Sequence, residues 1–231
     1  MQVSRAPFSK GPPSEHTLRR ALADAARVLY ERGHNAPPDG NLSARLGERY
    51  LLCTPSGVHK GRLAPEDLVK LARDPRAPLG ARAIEPRQRA SSELRMHVAL
   101  YDARPDVLAI AHAHCPHAVA LTVAGHTLDR PVVPEAILAL GSIPTVPYAS
   151  PTTADVPAAV VGIARDHDAF ILERHGPVCL GRSIEEAVSR LEIVEHTAKI
   201  TLLALATGSA APIDEAESAR LREIARALAM R

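Results

Sequence analysis

Two neighbouring stretches decide how this chain is read: Ser91-Ser92-Glu93-Leu94-Arg95-Met96-His97 and Val107-Leu108-Ala109-Ile110-Ala111-His112-Ala113-His114. The first starts like a helix, with two hydroxyls and a carboxylate in its first turn and Leu94, Val98 and Tyr101 on one apolar side. Its helical pattern runs from Ser91 to about Asp102. The second is a nearly continuous apolar run of strand length, Val107 to Ala113, which suits a strand buried on both faces. A helix feeding a buried strand predicts an α/β layer.

Outward from this pair the chain alternates helices with short strands. Leu18, Leu22, Ala25, Ala26 and Leu29 recur at helical spacing over Thr17–Arg32, with Ser14 as the candidate cap and Gly33 as the stop. Strands are predicted near Leu42–Leu46 and Tyr50–Thr54, joined by a Gly47-Glu48 turn, then at Leu68–Leu71 and Ala81–Ile84. Further helices are expected over Pro116–Val123 and Val156–Ala164, with Pro-punctuated segments between them through Ile137–Leu140. Strands are expected at Ile143–Val146, at Ala169–Leu172 (the buried run continuing to Arg174) and at Val178–Leu180. Ser183-Ile184-Glu185-Glu186 has the capping-box pattern and opens a helix to about Ala206, and Glu215 onward forms a last charged helix. Hairpin-like connections outnumber crossovers. The expectation is one α/β domain over 14–231, with a mainly antiparallel central sheet covered by helices, preceded by a flexible arm over 1–13.

Composition excludes several function classes. Only 3% of the 231 residues are aromatic and there is no Trp, so there is little material for stacking nucleic-acid bases. A formal net charge of +2 implies no polyanionic partner, and no apolar run reaches the roughly eighteen residues of a membrane span. The N-terminus has no apolar core of a signal peptide. Cys53, Cys115 and Cys179 are widely spaced, odd in number and without CxxC pairing, which reads as reduced thiols in a cytoplasmic protein.

Two residues apart on a strand, His112 and His114 share a face, with Cα atoms roughly 6.6 Å apart, close enough for one ion. The pair alone fits two core histidines equally well. His175, just before Gly176, and Glu93 extend it to three imidazoles and a carboxylate, a donor set for zinc or another first-row divalent metal. Glu93 alone would also suit a helix start, where the dipole favours a carboxylate. His97, four residues after Glu93, reads as an i,i+4 contact, and His117, His126, His167 and His196 as surface or capping residues. Gly40-Asn41, Ser56-Gly57 and Ser91-Ser92 are three short loops with small or polar residues and free backbone N–H groups. Converging, they would form an anion pocket of neutral donors.

Five motifs, Gly40-Asn41-Leu42-Ser43-Ala44-Arg45, Thr54-Pro55-Ser56-Gly57, Ser91-Ser92-Glu93, His112-Ala113-His114 and Arg174-His175-Gly176-Pro177, occur in an order and spacing that resembles the class II aldolase/adducin family, most like its L-fuculose-1-phosphate aldolases. The resemblance covers about Thr17 to Ala206. It implies a four-fold symmetric homotetramer, zinc ligation by His112, His114, His175 and Glu93, acid/base work by Glu93, and a substrate phosphate held by Asn41, Ser56, Gly57, Ser91 and Ser92. The implied reaction is cleavage of a phosphorylated ketose such as L-fuculose 1-phosphate to dihydroxyacetone phosphate and an aldehyde. Epimerases of similar sequence usually carry Asp where this chain has Glu93, which favours the aldolase.

Two departures stand out. Val133-Pro134-Glu135-Ala136 replaces a segment that often holds a tyrosine, so Glu135 from a neighbouring subunit is the candidate second proton donor. Arg87-Gln88-Arg89-Ala90 replaces the more usual Lys-Pro before the serines. The alternative reactions are decarboxylation of a hydroxy- or oxo-acid, disfavoured by the intact phosphate loops if the acid lacks phosphate, and sugar-phosphate 4-epimerisation. An adducin-like, non-enzymatic role is disfavoured by the retained ligand set.

Overall fold

The computed structural model describes residues 13–74, 76–77, 80–84, 89–149 and 155–229. Helix α1 (Glu15–Glu31) starts at Ser14, whose Oγ accepts the Thr17 N–H at 3.2 Å, a cap worth about 1 kcal/mol. Its apolar stripe, Leu22, Ala23, Ala26 and Leu29, is fully buried. Next come β1 (Asn41–Leu46), β2 (Tyr50–Cys53), β3 (Val69–Arg73) and β4 (Ala81–Ala83), followed by α2 (Leu94–Ala103) and β5 (Ala109–His112). The second half holds α3 (Pro116–Val123), α4 (Pro134–Leu140), β6 (Thr145–Val146), α5 (Asp155–Ala164), β7 (Ala169–Leu172), β8 (Gly176–Gly181), α6 (Ile184–Ala206) and α7 (Glu215–Ala229).

The eight strands form one sheet in the order β4-β3-β2-β1-β5-β8-β7-β6, antiparallel throughout except for the β6–β7 pair at one edge. The mainly antiparallel sheet expected from the sequence is therefore observed. Strand residues alternate between two apolar layers. Leu42, Ala44, Ala109, Ala111 and Cys179 pack with α1, α3 and α6, while Leu51, Ile110, Val178 and Leu180 pack with α2 and α5. With so few aromatics, Ala, Val, Leu and Ile fill both layers. Cys53, Cys115 and Cys179 are free and buried. No helix among the described residues is long and apolar enough to cross a membrane.

Three expectations need correction. The helix expected from Ser91 begins at Leu94, because Ser91 and Ser92 form a tight turn in which the Leu94 N–H donates to the Ser91 carbonyl at 3.2 Å. The buried run expected to continue to Arg174 stops at Leu172, where a turn over 173–175 begins. The segment around Ile137–Leu140 is a short helix, with Pro134 at its first turn, where a missing N–H costs nothing. The expected arm over 1–13 lies, except for Pro13, outside the described residues.

Candidate metal centre

The site forms where β5 ends, α2 begins and the β7–β8 turn folds over both. His112 is the last residue of β5, and its Nδ1 lies 2.9 Å from the Pro177 carbonyl. A carbonyl only accepts, so Nδ1 carries the proton and the Nε2 lone pair faces the site. His114 lies two residues on. Its backbone N–H donates to Asn35 Oδ1 at 2.9 Å, and its Nδ1 is 3.5 Å from Asp39 Oδ2. The Nε2 atoms of both histidines are buried and without a hydrogen-bond partner.

His175 comes from the turn. Arg174 holds φ 60°, the left-handed region unusual for a residue with a Cβ, and this turns the chain so that His175 faces Glu93. Gly176 is required for a different reason: a Cβ there would lie 2.1 Å from the Ala113 carbonyl oxygen. Glu93 completes the set, with Oε1 3.0 Å from His175 Nε2 and Oε2 3.4 Å from His112 Nε2. One ligand atom from each of the four residues lies within 4.8 Å of the others.

The donor set fits a divalent cation. Orphaned buried nitrogens cost on the order of 1–3 kcal/mol each, and one ion at their convergence would satisfy both. Burial pushes the His112 imidazole down to about 3, against the pull of Glu93, and burial also lowers His114. Neutral imidazoles are the form that ligates a metal. For Glu93, burial opposes the charged form, but His112, His175 and the Asn41 amide outweigh it and hold the carboxyl well below the usual range.

A cleft of about 310 Å³ adjoins the cluster, lined by Glu93, His114 and His175 together with Gly40, Asn41, Ser56, Gly57, Ser91 and Ser92. The three small loops therefore do converge beside the imidazoles. Two details differ from the expectation. The Ser56 N–H is not free, since it donates to the Arg89 carbonyl at 2.9 Å, leaving the hydroxyl for a ligand. The Asn41 amide donates to Glu93 Oε2, so Asn41 braces the carboxylate. Arg87 lies outside the described residues. Glu135 sits in the first turn of α4 and lines a separate groove of about 940 Å³ with His117, Glu192 and Glu195, away from this chain's own cluster.

His97 is structural: it is buried, its Nδ1 lies 2.7 Å from Ser43 Oγ, and Ser43 also meets Tyr101 Oη at 2.9 Å. Its partner is thus Ser43 rather than Glu93. Burial lowers its pKa to about 4. His117 sits in the first turn of α3, where it shares Glu195 with the helix's free N–H groups. Three neighbours of the site escaped the sequence reading: Asn35, Asp39 and Lys60. The turn-rich Asn35-Ala36-Pro37-Pro38-Asp39-Gly40 stretch is the visible signal in the sequence for the first two.

Against known proteins, residues 20–202 match the model of the class II aldolase and adducin N-terminal domain. The chain belongs to that family. Within the class II aldolase family, it is 33% identical over 193 residues to the 3-oxo-tetronate 4-phosphate decarboxylase of Escherichia coli K12, covering 82% of this chain and 88% of the relative. It is 31% identical over 187 residues to the L-fuculose phosphate aldolase of Methanocaldococcus jannaschii, covering 81% and 97%. The crystal structure of Escherichia coli YgbL, described as an aldolase, epimerase or decarboxylase, superposes with a TM-score of 0.81 at 31% identity, covering 90% of this chain and 99% of that one. Class II aldolase relatives of both kinds are lyases, so the enzyme reading and the fold expected from the sequence both stand.

Proposed function

We propose that this chain is a metal-dependent carbon–carbon lyase whose reaction is the decarboxylation of a small phosphorylated 3-oxo acid. The observation that carries the lyase reading is the single cleft that joins the Glu93, His112, His114 and His175 cluster to the three neutral-donor loops. The greater likeness to decarboxylases than to fuculose phosphate aldolases favours loss of CO2. This reverses the order expected from the sequence. There the phosphate loops counted only against an acid without phosphate; the acid named for the decarboxylase relatives is itself a phosphate ester, so those loops do not discriminate.

Both reactions leave an electron pair on the carbon next to a carbonyl, which explains how one site serves both. A divalent cation, zinc in our reading, would supply Lewis-acid stabilisation of the oxyanion that results. The Ser56, Ser91 and Ser92 hydroxyls and the Gly57 backbone hold the phosphate and fix the reacting carbon near Glu93. Glu93, the more buried of the cleft's two carboxylates, relays from water the proton that the carbon must regain after CO2 leaves. Asn41 keeps that carboxylate aimed. Decarboxylation requires no second base, which accords with Glu135 standing where aldolases of the family often carry tyrosine. Retro-aldol cleavage of a ketose phosphate is the second reading. It would draw on Glu135 of the partner subunit in a homotetramer, and the cytoplasm suits the three buried free thiols.

The test is direct. Zinc-loaded protein is given 3-oxo-tetronate 4-phosphate and L-fuculose 1-phosphate in parallel, with CO2 and aldehyde measured. CO2 release from the first at a kcat/KM well above aldehyde release from the second supports the proposal. Aldehyde release alone would replace it with the aldolase reading.

A further inference from the structure

Lys60 is the unusual residue of the cleft. It is 3% exposed, and its Nζ donates to three carbonyls: Pro38 at 3.1 Å, Pro55 at 3.2 Å and Val58 at 3.1 Å. An ammonium has three protons, so all are used. The accepting carbonyls belong to two of the three loops, the one leading to Gly40 and Asn41 and the one carrying Ser56 and Gly57. Packing reinforces the position, since Gly61 lies against the Tyr30 ring and His59 stacks edge-on to it with centroids 4.6 Å apart.

The charges around the cleft make this placement informative. Its described lining holds two carboxylates, Asp39 and Glu93, and one Lys or Arg, which is Lys60. A phosphate ester near neutral pH brings a charge between about −1.5 and −2. Neutral hydroxyl and backbone donors orient such a group but do not offset its repulsion by two carboxylates. A buried ammonium does, because low-dielectric surroundings leave its field weakly screened. Burial disfavours its charged form and Asp39 supports it.

We infer that Lys60 is a positioning residue for the substrate phosphate: its buried charge, rather than a hydrogen bond to the ligand, sets the cleft's affinity for a dianionic ester, while its three protons hold the two loops in register. This rests on the reading of the cleft as a phosphate site. It assigns the electrostatic part of that recognition to a residue outside the three loop motifs. A purely structural role, stapling the loops, is the competing account, and the two separate by substitution. Lys60→Met removes charge and donors together, whereas Lys60→Gln removes the charge but keeps two N–H donors for two of the three carbonyls.

The experiment titrates glycerol 3-phosphate into the zinc-loaded wild-type, Lys60→Gln and Lys60→Met proteins, with bound metal measured alongside. The expected result is binding weakened by about tenfold or more in both variants, with metal content at the wild-type level. Wild-type affinity in Lys60→Gln would overturn the charge role in favour of the staple, even if Lys60→Met failed to fold. Wild-type protein that binds no glycerol 3-phosphate would instead overturn the phosphate reading of the cleft, and this inference with it.

Discussion

Glu93 and Glu195 both lie against histidines, on opposite faces of the same sheet, and the groove beside Glu195 is about 940 Å³ against about 310 Å³ beside Glu93. By residue type and cavity size, Glu195 would be the stronger candidate for chemistry. Hydrogen-bond accounting reverses the ranking. Glu195 accepts the His117 and Ala118 backbone N–H groups at 3.1 and 2.9 Å and faces His117 Nδ1 at 2.7 Å, so its oxygens are occupied in starting α3. Around Glu93, His112 and His114 are held from behind by Pro177 and Asp39 and their Nε2 atoms have no hydrogen-bond partner, while His175 Nε2 lies 3.0 Å from Glu93 Oε1. A carboxylate spent on backbone N–H groups is a cap, whereas one that faces three converging imidazoles belongs to a candidate ligand set.

Breaking one side of this contrast at a time gives graded outcomes. His112→Ala should remove a ligand and lower activity by about a thousandfold or more, with bound metal lost in elemental analysis. An unchanged metal content would dissolve the distinction. Glu93→Gln should keep at least part of the metal while kcat falls about a hundredfold or more. Turnover at the wild-type rate would remove Glu93 from proton transfer.

His97 sharpens the contrast, because it is buried one turn beyond Glu93 yet contributes nothing to the ligand set. Its folded pKa of about 4 lies below the 6.5 of an ordinary imidazole, so between those values the unfolded chain binds the extra proton and stability falls as pH falls. The contribution is fully present above about pH 6.5 and amounts to about 3 kcal/mol, lost on acidification towards pH 4. Denaturant midpoints measured across that range should flatten in His97→Gln by the equivalent of one proton.

Smallest is the effect on the other face. Glu195→Ala should cost about 2 kcal/mol through the N–H groups left unpaired and leave metal content and turnover unchanged. A loss of metal would show that the two carboxylates are coupled through the sheet.

Much of this was legible in the chain because it is written in local spacing. Ser14 and Ser183 announced their helices, and the strands expected near Leu42–Leu46 and Tyr50–Thr54 are β1 and β2. His112 and His114 were legible as a pair, although β5 ends at His112 and His114 lies two residues past the strand expected to carry both. What escaped depends on distant segments meeting. Lys60, one of only four lysines in the chain, reads as an ordinary surface lysine until the Pro38 and Pro55 carbonyls close on it. Asn35 gains meaning only when His114 arrives from 79 residues away. Ser56 looked like a free donor because Arg89, its partner, lies far along the chain. The order of the two lyase reactions was not legible for another reason: the substrates of both readings carry a phosphate, so loops proposed to hold it cannot separate the reactions.

Gly176 carries a consequence for anyone mapping this enzyme by saturation mutagenesis. It has no side chain, yet a single methyl group there would collide with the Ala113 carbonyl and drive apart the segments bearing His114 and His175. In a fitness map of all single substitutions, this position should be as intolerant as the histidines themselves. A reader ranking residues by such a map would number among the catalytic groups an atom that is not there.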